Sequence, residues 1–252
     1  MDRSARTALP CVDTRQARSQ PRVMGPPVAH PPSAVYDIAA LVPSQRDFLQ
    51  AARTGREGLA LVPCLSAVDA GREALRLAEA GVNALAMSEA SLSMAEASRA
   101  TRLPMLSLRL LRSRDEALAA RAFGADAVIV DPTTAEDERK RIADSARSVR
   151  MMVLSLTTTR EEVAREVQKG ARAVVAKGPS VASIKEQLAG SPRLLVVAWL
   201  SSEEAGPAES SSLGRNPEDD LRALNGHVDA AIVGVELYGA TGFERLVSEL
   251  YP

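Results

Sequence analysis

A scattered set of polar side chains stands at or just past the ends of short apolar runs: Glu89, Arg109, Asp131, Ser155, Lys177, Ser201 and Glu236. If those runs are strands of one sheet, these residues gather along one edge. There they could line a pocket for an anionic ligand, with Lys177 and Arg109 as counter-charges. Lys177 carries the sharpest chemistry. An ammonium projecting into an apolar mouth is partly desolvated, which lowers its pKa toward use as a nucleophile or general acid. The plainer alternative is a solvated lysine beside Gly178-Pro179, because polar residues reappear wherever strands meet water. The residues alone leave both alternatives open.

Other chemistries find less support. Cys11 and Cys64 have no zinc or disulfide spacing around them, and His30 and His227 belong to no ligand cluster. Neither a metal nor a cofactor is expected. Trp199, the only tryptophan, reads as a space-filler rather than a stacking platform. Lys and Arg total 31 against 32 Asp and Glu, a net charge of -1. Bulk charge therefore gives no case for a nucleic-acid or membrane partner. No run approaches the roughly 20 apolar residues of a membrane span. Arg3, Arg6, Arg15 and Arg18 interrupt any secretory core, while Asp2, Asp13 and the nearby prolines argue against a transit peptide. A cytoplasmic chain is the simplest expectation.

The elements that must position these residues follow from periodicity. Residues 1–34 carry Pro10, Pro21, Pro26, Pro27, Pro31 and Pro32 and almost no apolar period. Such a segment buries too little surface to offset its ordering entropy, so it reads as a disordered tail. Residues 35–58 form a pre-barrel segment, with a helix expected from Pro43 to about Thr54 that shares Phe48, Leu49 and Ala52 on one face. From Leu59 to the end, apolar runs alternate with charged, Ala-rich segments at helical spacing. The runs are Leu59–Cys64, Ala84–Met87, Met105–Leu110, Ala127–Val130, Met151–Leu156, Ala173–Ala176, Leu194–Leu200 and Ala230–Val233. Unbroken apolar runs suit parallel strands covered on both faces. In the fourth segment, Leu118, Ala119, Ala122 and Phe123 are expected to share the buried face. Gly81, Gly124, Gly170 and Gly226 each precede an even-numbered strand, where a helix ends in the left-handed conformation that glycine adopts cheaply. An open doubly wound sheet also alternates strand and helix, but there is no Gly-rich nucleotide loop. The expected fold is thus an α/β (β/α)8 barrel over 59–252, a fold of about 250 residues. A long loop, Ser201–Pro217, follows the seventh strand on the face where barrels build their sites.

Several segments resemble a known family. Arg121-Ala122-Phe123-Gly124-Ala125-Asp126-Ala127-Val128-Ile129-Val130 is similar to the third helix and fourth strand of the indole-3-glycerol phosphate synthases. Pro104-Met105-Leu106-Ser107-Leu108-Arg109 sits where that family has Pro-[IV]-Leu-x-Lys-Asp. The run from Leu221 to Gly234 resembles its last helix and strand, and Arg46-Asp47-Phe48-Leu49 its pre-barrel helix. The resemblance spans roughly residues 45 to 250. It implies a ribulose-phosphate-binding TIM barrel and a cofactor-free lyase of tryptophan biosynthesis. That enzyme decarboxylates and cyclises a carboxyphenylamino deoxyribulose phosphate to indoleglycerol phosphate.

The residues of that chemistry are largely replaced. The family's first-strand Glu-x-Lys falls on Pro63 and Leu65, and its third-strand lysine on Leu108, or on Arg109 after a one-residue shift. Its fifth-strand Glu falls on Ser155, its sixth-strand Asn on Lys177, and its seventh-strand Glu-Ser-Gly on Trp199-Leu200-Ser201. An arginine cannot stand in as an acid, because its guanidinium keeps its protons. Each lost acid or base costs about 10²–10⁴ in rate. The phosphate cradle is half kept: Gly234 matches the family glycine, Ser201 and Ser202 supply hydroxyls, and Glu236 replaces a small hydroxyl residue. The resemblance therefore implies a catalytically impaired or inactive relative. Its expected role is to bind an anionic phosphate or carboxylate metabolite through Lys177, Arg109, Ser155, Ser201, Ser202 and Gly234. The alternatives are an interaction subunit partnering another barrel enzyme and a re-purposed lyase using Lys177 and Arg109.

Overall fold

The computed structural model describes residues 38–53, 58–190, 194–200, 216–239 and 242–250. The expected tail at 1–34 lies outside the described residues, as does most of the Ser201–Pro217 loop. All described residues belong to the unit Val35–Pro252.

The strands are β1 Ala60–Pro63, β2 Leu85–Met87, β3 Met105–Leu111, β4 Ala127–Val130, β5 Met152–Thr157, β6 Ala173–Gly178, β7 Leu195–Leu200 and β8 Ala230–Val233. They form one 8-stranded sheet in the order β1-β8-β7-β6-β5-β4-β3-β2, parallel throughout. The remaining seam, β1 to β2, is closed by a single parallel bridge between Cys64 and Ala86 and by the Leu65 N–H donating to the Ala86 carbonyl at 2.8 Å. Helices follow each strand: α2 Ala70–Glu79, α3 Leu92–Ala100, α4 Arg114–Ala122, α5 Glu136–Ser148, α6 Arg160–Gln168, α7 Val181–Leu188, α8 Pro217–Leu224, and the pair α9 Val235–Tyr238 and α10 Phe243–Leu250. This is the (β/α)8 barrel that the alternation predicted.

Side chains alternate across each strand, so the apolar runs divide into two cores. Ala60 and Val62, Leu106 and Leu108, Ala127 and Ile129, Leu154 and Leu156, Ala173 and Val175, and Leu195 and Val197 pack inside the barrel. The intervening residues, such as Leu61, Val128, Val174 and Val196, meet the helices. Helix starts are fixed locally. Ser91, Ser113, Thr159 and Ser180 each accept a backbone N–H from the first turn, and Thr159 forms a capping box with Glu162.

The pre-barrel helix α1 is shorter than expected, Phe48–Ala52, and starts at Asp47, whose carboxylate accepts the Gln50 N–H. Phe48 and Ala52 join the inner core, so α1 caps the amino-terminal end of the barrel. Below it, the fully buried Asp126 ties this segment down. Its carboxylate accepts from the Ser44 hydroxyl (2.6 Å), the Met105 N–H (2.9 Å), Arg121 (2.7 Å) and Arg46 (3.3 Å). In α4 the buried face is Ala117, Leu118 and Ala120, whereas Ala122 is exposed. In so Ala-rich a helix, one leucine does not fix which face turns inward.

The glycine positions behave as the sequence implied. Gly81, Gly124, Gly170 and Gly226 all have positive φ, between 78° and 98°. The residue that ends α5 at the corresponding place is Arg150, at φ 57°. A side chain there costs about 1–2 kcal/mol.

Candidate functional site at the carboxyl mouth

Each strand sends alternate residues inward, so the chemistry available inside can be read strand by strand. The inward set is Ala, Val, Leu, Ile and Met until the carboxyl ends of β6 and β7, where Lys177 and Trp199 stand beside the inner core. Among the described strand residues that face inward, Lys177 is the one charged side chain. Lys177 and Trp199 are register partners across β6 and β7, and the Lys177 ammonium sits 5.1 Å from the Trp199 ring centroid. That separation is within the range of a cation–π attraction. The Lys177 carbonyl accepts from the Gln187 amide at 2.9 Å, which fixes the strand end against α7.

Gly234 follows β8 at the same end. Its carbonyl accepts the N–H groups of Leu237 and Tyr238, so the chain turns at once into α9. Tyr238 donates its hydroxyl to the Cys64 carbonyl at 3.0 Å, joining this end of β8 to β1. Burial, then the charge of nearby Glu73, pushes the Tyr238 phenol well above its ordinary value. Asp131 lies at the end of β4. Burial raises its carboxyl, but hydrogen bonds from the Thr133 hydroxyl (2.7 Å) and amide (2.8 Å) and from Arg112 Nε (2.7 Å) outweigh that and hold it below its ordinary range. A carboxylate so engaged is a weak base.

The remaining expected site residues divide. Arg109 lies between inward Leu108 and Leu110, so its side chain points out of the barrel and pairs with Glu116 of α4 at 3.2 Å. This placement disfavours the one-residue shift that would put Arg109 in the family's lysine position, and it removes Arg109 from the mouth. Ser155 also points outward. Its hydroxyl donates to Glu166 at 2.6 Å, and Glu166 is paired with Arg139 at 2.7 Å. Leu65 likewise packs in the outer core, and Cys64 takes the inward place on β1. These corrections share one cause: a strand register misjudged by one residue exchanges the two faces. Ser201, Ser202 and the Glu236 side chain lie outside what the structure describes. His227 is exposed ahead of β8, on the opposite end. Among the described residues no group of His, Cys, Asp and Glu could hold a metal ion, and no helix is long and apolar enough to cross a membrane.

The Trp199 contact and the Arg112–Asp131–Thr133 clamp were not anticipated from sequence. Trp199 could have been found, because Lys177 and Trp199 share inward parity on adjacent runs.

No family model matches the chain, and no curated protein matches it either. Solved structures do. The chain is similar to N-acetylmannosamine-6-phosphate 2-epimerase from Clostridium perfringens, with 15% identity over 76% of this chain and 91% of that one and a TM-score of 0.54. It is also similar to orotidine 5'-phosphate decarboxylase from Pyrococcus horikoshii, with 14% identity, coverage of 76% and 97%, and a TM-score of 0.55. A third is thiamine phosphate pyrophosphorylase from Pyrococcus furiosus, with 21% identity, coverage of 77% and 94%, and a TM-score of 0.50. At these identities the likeness establishes the class, a (β/α)8 barrel, which fold does not convert into an activity.

Proposed function

We propose that this protein is a divergent member of the ribulose-phosphate-binding barrels that holds a phosphate- or carboxylate-bearing metabolite at its carboxyl mouth. In this reading it does not carry out the indoleglycerol phosphate synthase reaction. The observation that supports the reading is the barrel interior. Ring closure with decarboxylation needs an ammonium and at least one carboxylate acting on the same substrate. Among the described residues, the inward strand positions offer Lys177 alone. Lys177 can neutralise an anion, Trp199 can pack against an apolar or ring portion of the ligand, and Gly234 leaves the backbone approachable where barrels commonly seat phosphate. The three neighbours are each named for a phosphorylated compound, which agrees with an anionic ligand.

Trp199, as the only tryptophan, reports directly on this site. Titration with inorganic phosphate and ribose 5-phosphate is expected to change its fluorescence saturably. Lys177→Ala should weaken binding at least tenfold, and Lys177→Arg should retain most of it. A Lys177→Ala protein that titrates like the wild type would refute the assignment.

A further inference from the structure

The opening residues of β5 are the exception to the buried pattern of this sheet. Met152 and Val153 are half-buried, whereas the first two residues of every other strand are buried. The cause is register. β5 pairs with β4 from Met152 onward, but with β6 only from Ser155, opposite Val174. A cleft of about 880 Å³ lies at the amino-terminal end of the barrel, walled by α5, the start of β5, the loop into β6 and the pre-barrel residues 44–49. Its apolar lining includes Phe48, Leu49, Met152 and Val153, with Met152 on the inner-core side of β5 and Val153 on the helix side. Its upper wall is closed by the Arg139–Glu166 and Lys169–Glu136 pairs, at 2.7 and 2.6 Å. Lys140, Arg150 and Arg172 also line it, beside the acids Asp47 and Asp137, with exposed side chains that make no hydrogen bond or ion pair among the described residues.

Arg150 makes the cleft more than a solvated basic surface. It occupies the left-handed position that glycine fills after α2, α4, α6, α7 and α8, so a guanidinium stands where backbone geometry favours no side chain at all. A strained residue on the wall of the cleft is the pattern of a ligand clamp. We propose that this cleft is a second binding site, distinct from the mouth, for an organic polyanion with a flat apolar body. Lys140, Arg150 and Arg172 would hold the anionic groups, and Met152 and Val153 the body. The volume is in the range of metabolite sites. The inference does not rest on the reading of the mouth.

Isothermal titration of the full-length protein with ADP, and with pyrophosphate as a polyanion lacking the apolar body, tests this. In Lys177→Ala, whose mouth site is disabled, ADP is expected to bind saturably at one site per chain, and more tightly than pyrophosphate. In that background, adding Arg150→Gly or Arg172→Ala should weaken ADP binding at least tenfold. Arg150→Gly should also melt at or a few degrees above the wild type, since it relieves the left-handed strain. That result separates lost binding from lost folding. No saturable heat with ADP in Lys177→Ala, or cleft variants that bind ADP as well as Lys177→Ala alone, would each overturn the proposal.

Discussion

At Asp126 a fully buried carboxylate meets two guanidiniums, a hydroxyl and a strand N–H. Removing it leaves Arg46 and Arg121 with carbonyl acceptors only, on Leu103 and Ser98 and on Val42 and Ala125, and breaking a buried pair from one side costs at most about 3–5 kcal/mol. Asp126→Ala should show that loss as a lower urea midpoint, with Asp126→Asn less severe because an acceptor remains. In the sequence Asp126 stood out only within the run Arg121–Val130 that resembles the synthase family, since nothing local announces a partner at Ser44. Lys177 was legible for a different reason. Its place at the end of an apolar run fixed its level, and the sequence left open whether it faces inward. Arg109 and Ser155 were read at the right level but on the wrong face, because their flanking leucines are apolar on both sides and carry no period-2 signal.

Among the elements, the helix-to-strand turns were the most legible, and they differ in what they tolerate. At Gly124 an added methyl carbon would lie 2.5 Å from the Ser98 hydroxyl, in addition to a φ of 98°. At Gly170 the same carbon would meet nothing within 4 Å, and only the φ of 80° opposes it. Gly124→Ala should therefore cost about 2–4 kcal/mol, combining overpacking with the left-handed penalty, and Gly170→Ala about 1. Denaturant unfolding of the two variants measures the difference; equal losses would mean that Ser98 yields freely. The strands themselves were found to within about two residues. The buried face of α4 was not, because alanine contributes little contrast between faces.

For the whole molecule, two buried groups set a pH window. Asp131 has a lowered carboxyl, so its contribution is present above its ordinary value of 3.8 and is lost as pH falls through its folded value below that. Tyr238 has a raised phenol, so its contribution is present below its ordinary value of 10.0 and is lost as pH rises further. Melting temperature should be flat between these limits and fall outside them, and Tyr238→Phe should flatten the alkaline side. The barrel as a whole was readable from eight alternating units. Closure of its last seam through Cys64 and Ala86 was not, since one bridge leaves no pattern in sequence. The central proposal is that this barrel, with Lys177 the one inward charge among its described strand residues, binds without turning over. Incubating the protein with the carboxyphenylamino deoxyribulose phosphate and following carbon dioxide release tests this most directly. The predicted result is a perturbed Trp199 signal with no release above the buffer rate, and sustained stoichiometric release would contradict it.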